Sequence, residues 1–176
     1  MVRVWPGLLV LALVAATAVG ATARVASVVP ARTVPCQEIM DHPAFPFAGF
    51  PSFRYRLVLG VVSAPPLFLG QPVALREGLW PYWLKVGLVV EAGAPSVTIR
   101  VPERWQNRAA IIWGNGNYDA GSSIQIAGGC GATDPGAGNA YAGGFYSRLR
   151  AACVPLVFRV GGRSATVRFG IGRRCH

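Results

Sequence analysis

Val154-Pro-Leu-Val-Phe-Arg-Val160, then Gly161-Gly162, then Arg163-Ser-Ala-Thr-Val-Arg-Phe169 is the stretch whose reading decides the fold. It reads as two alternating strands joined by a two-residue loop, a β-hairpin. With that loop Val160 stands opposite Arg163, Phe158 opposite Ala165, Leu156 opposite Val167 and Val154 opposite Phe169. One face is then apolar except for the arginine beside the turn. The other face carries Arg159, Ser164, Thr166 and Arg168, with Val157 and Pro155. A slip of one residue would bury the arginines, so this register is strongly specified.

Working upstream, Ser96-Val-Thr-Ile-Arg-Val101 alternates in the same manner. Val97, Ile99 and Val101 face one way, Thr98 and Arg100 the other. Ala109 to Trp113 and Ser122 to Ala127 are two further short strands, and Asn115-Gly116 is a tight-turn signal. Leu79 to Glu91 is rich in aromatic and β-branched residues and reads as one strand. Arg54 to Val62 reads as another, ending near Pro65-Pro66. Pro102 to Arg108 is the best helical segment, with proline at its first position, but it holds only one or two turns. Cys36 to His42 could make a helical turn within an otherwise irregular arm, residues 24–53, where Pro30, Pro35, Pro43, Pro46 and Pro51 remove backbone donors. Short strands, turn signals and no long 3.6-residue period predict an all-β domain over residues 54–176. The expected architecture is a disulfide-bonded β-sandwich of immunoglobulin-like character with at most one short helix.

The N-terminus sets the compartment. Arg3, the apolar run from Trp5 to Val19 and Ala21-Thr-Ala23 have the order of a secretory signal peptide, residues 1–23. Retention as a membrane anchor is the alternative, because the run approaches the ~20 residues that span a bilayer. Gly20 and the alanines weaken its end, and no basic cluster follows it. Export is therefore the expectation, with the mature chain secreted. Cys36, Cys130, Cys153 and Cys175 make an even number in an oxidising compartment, without C-x-x-C spacing, which predicts two disulfides. Three pairings remain open on sequence alone. The pairing expected here is Cys130–Cys153, closing a glycine-rich loop, with Cys36–Cys175 tying the arm to the last strand.

Basic residues outnumber acidic ones 17 to 7, giving a net charge of +10. The arginines are dispersed along the chain, with one adjacent pair at Arg173-Arg174, as on a solvated surface. Such a balance suits an anionic or glycan polymer of the cell envelope as partner and gives little support to nucleic acid. Catalytic signatures are missing. There is no G-x-S-x-G elbow, and the histidines are His42 and the terminal His176. Glu38, Asp41, Glu77, Glu91, Glu103, Asp119 and Asp134 supply carboxylates, but no pair is marked for glycoside hydrolysis. Asn115 to Gly121 lacks the bidentate glutamate of a calcium loop, and the glycine-rich stretch around Cys130 lacks the lysine of a phosphate loop. No metal or cofactor is implied. Sugar-binding sandwiches present aromatic faces for stacking, and the candidate ligand-facing residues on that ground are Trp80, Tyr82, Trp83, Trp105, Asn115, Asn117 and Tyr118.

Leu79-Trp-Pro-Tyr-Trp-Leu-Lys-Val-Gly-Leu88, Val101-Pro-Glu-Arg-Trp-Gln-Asn-Arg-Ala-Ala-Ile-Ile-Trp-Gly-Asn115, Ala140-Tyr-Ala-Gly-Gly-Phe-Tyr146, Cys153-Val-Pro-Leu156 and Val167-Arg-Phe-Gly-Ile-Gly-Arg-Arg-Cys175 together resemble a group of uncharacterised exported actinobacterial proteins. The resemblance implies export and paired cysteines; it carries no activity and no site residue. The expected function is a non-catalytic secreted module, binding or structural, at the cell envelope. A small glycan-active enzyme using paired carboxylates and a structural subunit of an envelope complex are the alternatives.

Overall fold

A computed structural model describes Met1 and residues 31–50, 53–116 and 119–175. The expected leader, residues 1–23, lies outside the described residues apart from Met1. In chain order the strands are β1 (Arg32–Val34), β2 (Gly49–Phe50), β3 (Phe53–Arg54), β4 (Arg56–Val58), β5 (Val62–Ala64), β6 (Val73–Ala74), β7 (Tyr82–Lys85) and β8 (Leu88–Glu91). They continue as β9 (Val97–Arg100), β10 (Ala109–Trp113), β11 (Ser123–Ile126), β12 (Gly138–Tyr141), β13 (Gly143–Ser147), β14 (Ala152–Val160) and β15 (Arg163–Ile171). Helical structure among the described residues is limited to single 3-10 turns at Cys36–Glu38 and Glu103–Trp105. The described residues form an all-β structure, as the strand pattern predicts.

The strands assemble into a five-stranded sheet, β1-β11-β9-β14-β15, two four-stranded sheets, β10-β13-β7-β6 and β12-β8-β5-β4, and the small pair β2-β3. The C-terminal hairpin has the register derived above, with Val160 opposite Arg163 and Val154 opposite Phe169. Gly161 and Gly162 turn it with φ of 50° and 80°, which glycine adopts without steric cost. The neighbouring β9 also alternates as expected, Val97 and Ile99 being fully buried.

Two strands expected to be single are interrupted. Arg54 to Val62 folds into the β4–β5 hairpin, because Leu59 and Gly60 both take positive φ and reverse the chain. Leu79 to Glu91 divides into β7 and β8, which lie in different sheets, yet its pairing register with β12 and β13 runs on without a slip. At the break the Val86 N–H still donates to Gly143 O at 2.8 Å. The ribbon bends here because Gly143 and Gly144 (φ 157° and 152°) have no Cβ. One added at Gly143 would strike the Ile112 carbonyl, and one at Gly144 the Leu84 carbonyl. The proline-rich arm is more ordered than its prolines suggest, since β1 pairs in parallel with β11 as the edge of the five-stranded sheet.

The inner faces of the five-stranded sheet and of β10-β13-β7-β6 meet in one core. Phe145 packs on Trp113 edge-on at 5.6 Å and on Phe169 at 5.4 Å, and Phe169 reaches Phe158 at 6.4 Å. All four rings are fully buried, each contributing about 1.5–3 kcal/mol of transfer free energy on the general scale for large apolar side chains. The Trp113 indole keeps its donor satisfied by bonding Val86 O at 3.0 Å.

All four cysteines are cross-linked, but as Cys36–Cys130 and Cys153–Cys175, which corrects the expected pairing. The reason lies in strand direction. Because β1 and β11 run parallel with Val34 beside Ile126, the segments leaving them emerge at the same end and bring Cys36 to Cys130. At the open end of the β14–β15 hairpin Cys153 faces Gly170. The chain then folds back over that end, and Cys175 meets Cys153 with Cα atoms 5.5 Å apart.

Candidate functional site

The outward face of β10-β13-β7-β6 carries the most unusual surface chemistry. Alternation along β7 turns Leu84 inward and leaves Trp83 and Lys85 outward; along β13 it buries Phe145 and exposes one side of Tyr146. Pairing then aligns Val73, Trp83, Tyr146 and Ala110 in one row across four strands. The Trp83 and Tyr146 rings lie 4.4 Å apart at 35°, both half-buried. Cross-strand aromatic pairs of this kind stabilise a sheet by about 0.2–1 kcal/mol while leaving ring surface available.

The flanking row adds charge. The Arg148 N–H donates to Arg108 O at 2.9 Å and the Leu75 N–H to Pro81 O at 2.8 Å, extending the sheet by one position. The Arg148 guanidinium sits 5.4 Å over the Trp80 ring and that of Arg108 5.8 Å over Trp105. Both arginines are exposed, so their outer sides face solvent. Val73, opposite Trp83, is 63% exposed, and Leu79, which precedes Trp80 in the chain, is 66% exposed. Apolar ring faces, with polar tips and guanidinium groups at their edge, can stack on flat apolar surfaces of a ligand and bond its hydroxyl or acidic groups.

The residues expected to face a ligand are only partly gathered here. Trp80 and Trp83 belong to this face. Tyr82 has the opposite parity on β7, opposite Ser147, and is half-buried towards the inner side. Trp105 sits in the 3-10 turn after β9 and packs against the core. Asn115 is exposed in the turn after β10. Asn117 and Tyr118 lie outside the described residues. Tyr146, an aromatic that the sequence offers for such stacking, and Arg148, which nothing in the sequence marks, complete the face. What the sequence does not give is the pairing of Tyr146 with Trp83, because Gly143-Gly144 reads as loop and hides the strand that carries it.

The charged groups inside the molecule do a different job. Glu38 is buried at 7% exposure, and its Oε2 accepts from Arg32 Nη2 at 2.6 Å. Arg32 Nη1 also donates to Trp113 O at 3.0 Å. Burial, and then the nearby Glu38 carboxylate, push the Tyr141 phenol up to about 12. Among the described residues no three His, Cys, Asp or Glu side chains converge as a metal site would require, and no helix is long and apolar enough to cross a membrane.

No protein-family model, curated protein or solved structure matches the chain. Fold and surface define a disulfide-bonded all-β domain with an aromatic, arginine-edged sheet face.

Proposed function

We propose that this protein is an exported, non-catalytic binding module of the cell envelope that stacks the sugar rings of a glycan polymer on its aromatic sheet face. The packed Trp83–Tyr146 pair, flanked by Arg148 over the Trp80 ring, is the observation that carries this reading. Export draws on the leader pattern of residues 1–23, on four cross-linked cysteines and on the resemblance to exported actinobacterial proteins. The immunoglobulin-like sandwich belongs to the same proposal, supported by two sheets that share one core. Trp83 and Tyr146 are each worth about 0.5–1.5 kcal/mol against a ring partner, so losing both should weaken binding roughly tenfold or more.

Tryptophan fluorescence of the mature protein, titrated with neutral gluco-, xylo- and chito-oligosaccharides, tests the reading. A saturable change with at least one of them, lost in Trp83→Ala, is expected; no response to any overturns it. A structural subunit of an envelope complex is the second reading, favoured by the exposed Val73 on the edge strand of the same face and by the exposed Leu79 in the segment leading into β7.

A further inference from the structure

The five-stranded sheet turns a second and chemically different face outward, on the side away from the aromatic one. Its register sets Gln125, Thr98, Arg159 and Ser164 in one row, and Ser123, Arg100, Val157 and Thr166 in the next. Arg168 follows, opposite Pro155. The strands β1, β11, β9, β14 and β15 contain no aspartate or glutamate at all. Arg100, Arg159 and Arg168 are exposed, and among the described residues no carboxylate pairs with them. Arg100 and Arg159 are diagonal neighbours, roughly 7–8 Å apart at the backbone. That is inside the ~10 Å Debye length at 0.1 M salt, so their charges repel until an anion arrives. At the turn end the face dips into a depression of about 430 Å³ between Thr98, Arg159, Arg163 and Ser164. Arg163 is held at its rim by donating to Leu59 O at 2.9 Å.

The side chains between the guanidinium groups select the kind of anion. No aromatic residue points outward from these strands, since Phe158 and Phe169 are buried, so the stacking platform of a single-strand nucleic-acid site is missing. No large apolar side chain stands among the arginines to enter a bilayer, as interfacial segments require. Instead the arginines alternate with hydroxyl and amide groups, which hydrogen-bond sugar hydroxyls, while the planar guanidinium forks fit carboxylate, sulfate or phosphate groups. We infer that this face binds an anionic polysaccharide, Arg100, Arg159 and Arg168 holding its charged groups and Thr98, Ser164 and Thr166 its hydroxyls.

The inference stands independently of the aromatic face. Binding of the mature protein to polygalacturonate, hyaluronate and heparin, with dextran as neutral control, is measured by affinity electrophoresis and calorimetry at 25 and 250 mM salt. At least one of the charged polymers is bound at low salt and released as salt rises. The triple variant Arg100→Gln, Arg159→Gln, Arg168→Gln binds at least tenfold more weakly. A triple of equal charge change elsewhere, Arg76→Gln, Arg104→Gln, Arg150→Gln, stays within about threefold of the parent. Retention of no charged polymer at low salt, equal weakening by the two triples, or tighter binding to DNA or phosphatidylglycerol vesicles than to any polysaccharide overturns the inference. Loss with Trp83→Ala alone would instead place the charged polymer on the aromatic face and overturn it as well.

Discussion

Arg32 Nη2 donates to Glu38 Oε2 at 2.6 Å across the short segment that carries Cys36. The pair is mostly withdrawn from water, with side-chain exposures of 19% and 9%. Glu38 Oε1 is buried without a hydrogen-bond partner among the described residues. A charge desolvated this far is tolerated only through its partner. Glu38→Ala therefore removes this carboxylate from beside a largely desolvated guanidinium and is expected to cost about 3 kcal/mol. Replacing both residues, Arg32→Met with Glu38→Leu, should cost much less than the sum of the single changes. Urea unfolding of the four-member cycle measures the coupling; strictly additive losses would contradict this account of the pair.

Gly114 covers that carboxylate. Its φ of 116° is a conformation that residues with a side chain rarely adopt, and an added Cβ would strike Glu38 Oε2. Gly114→Ala should lower stability by about 2–4 kcal/mol, combining backbone strain with displacement of the ion pair. The clash has a specific partner, so part of the loss should vanish when Gly114→Ala is made in the Glu38→Ala background. A loss that is the same in both backgrounds would mean the backbone angle alone is responsible.

Tyr141 reports on the same buried charge. Its phenol is raised from 10 to about 12, first by burial and then by the Glu38 carboxylate. The folded state therefore holds the proton more tightly than the unfolded chain. The stability this contributes is complete below pH 10 and is lost as pH rises from about 10 through about 12, amounting to about 2–3 kcal/mol. Burial raises Tyr55 as well, so ultraviolet titration should show more than one tyrosine ionising late, with Tyr141 pushed up to about 12 and stability falling across that window. Glu38→Gln should bring the phenol down but leave it above 10, because burial is the larger cause. Ionisation of all tyrosines near pH 10 in the folded protein would remove this explanation.

How far the chain can be read from its residues varies with the kind of interaction. The β14–β15 hairpin is legible because alternation and a Gly-Gly loop are both local, and together they leave one register that keeps Arg159 and Arg168 in water. The β4–β5 reversal is illegible because Leu59 at the turn is apolar and resembles its strand neighbours. The β12–β13 ribbon is hidden for a related reason. Gly143 and Gly144 look like loop residues, whereas the fold uses them for close passage past Ile112 and Leu84. At the surface, Trp83 carries its own signal, but its partner Tyr146 is 63 residues away and only cross-strand register joins them. The arginines show the same effect: scattered in sequence, Arg100, Arg159 and Arg168 are collected on one sheet face by pairing.

The disulfides follow the same logic and yield the last prediction. Cys153 and Cys175 are 22 residues apart and close the open end of a hairpin that is already held by nine backbone pairings. Cys36 and Cys130 are 94 residues apart and tie the three-residue strand β1, an edge, to the sheet. In the chain-entropy account the longer loop restrains the unfolded state more, about 4–5 kcal/mol against about 3. Replacing Cys36 and Cys130 with alanine should thus cost more than replacing Cys153 and Cys175. It should also loosen β1 selectively, since this three-residue edge strand is then held by its pairing with β11, the Arg32 contacts and the buried Val34 side chain, with no covalent tie. Hydrogen exchange would show the β1 and β11 amides losing protection while the β14–β15 amides keep theirs. Equal loss of protection at both edges of this sheet, or a larger stability loss from the Cys153–Cys175 replacement, would show that the shorter cross-link is the one on which the domain depends.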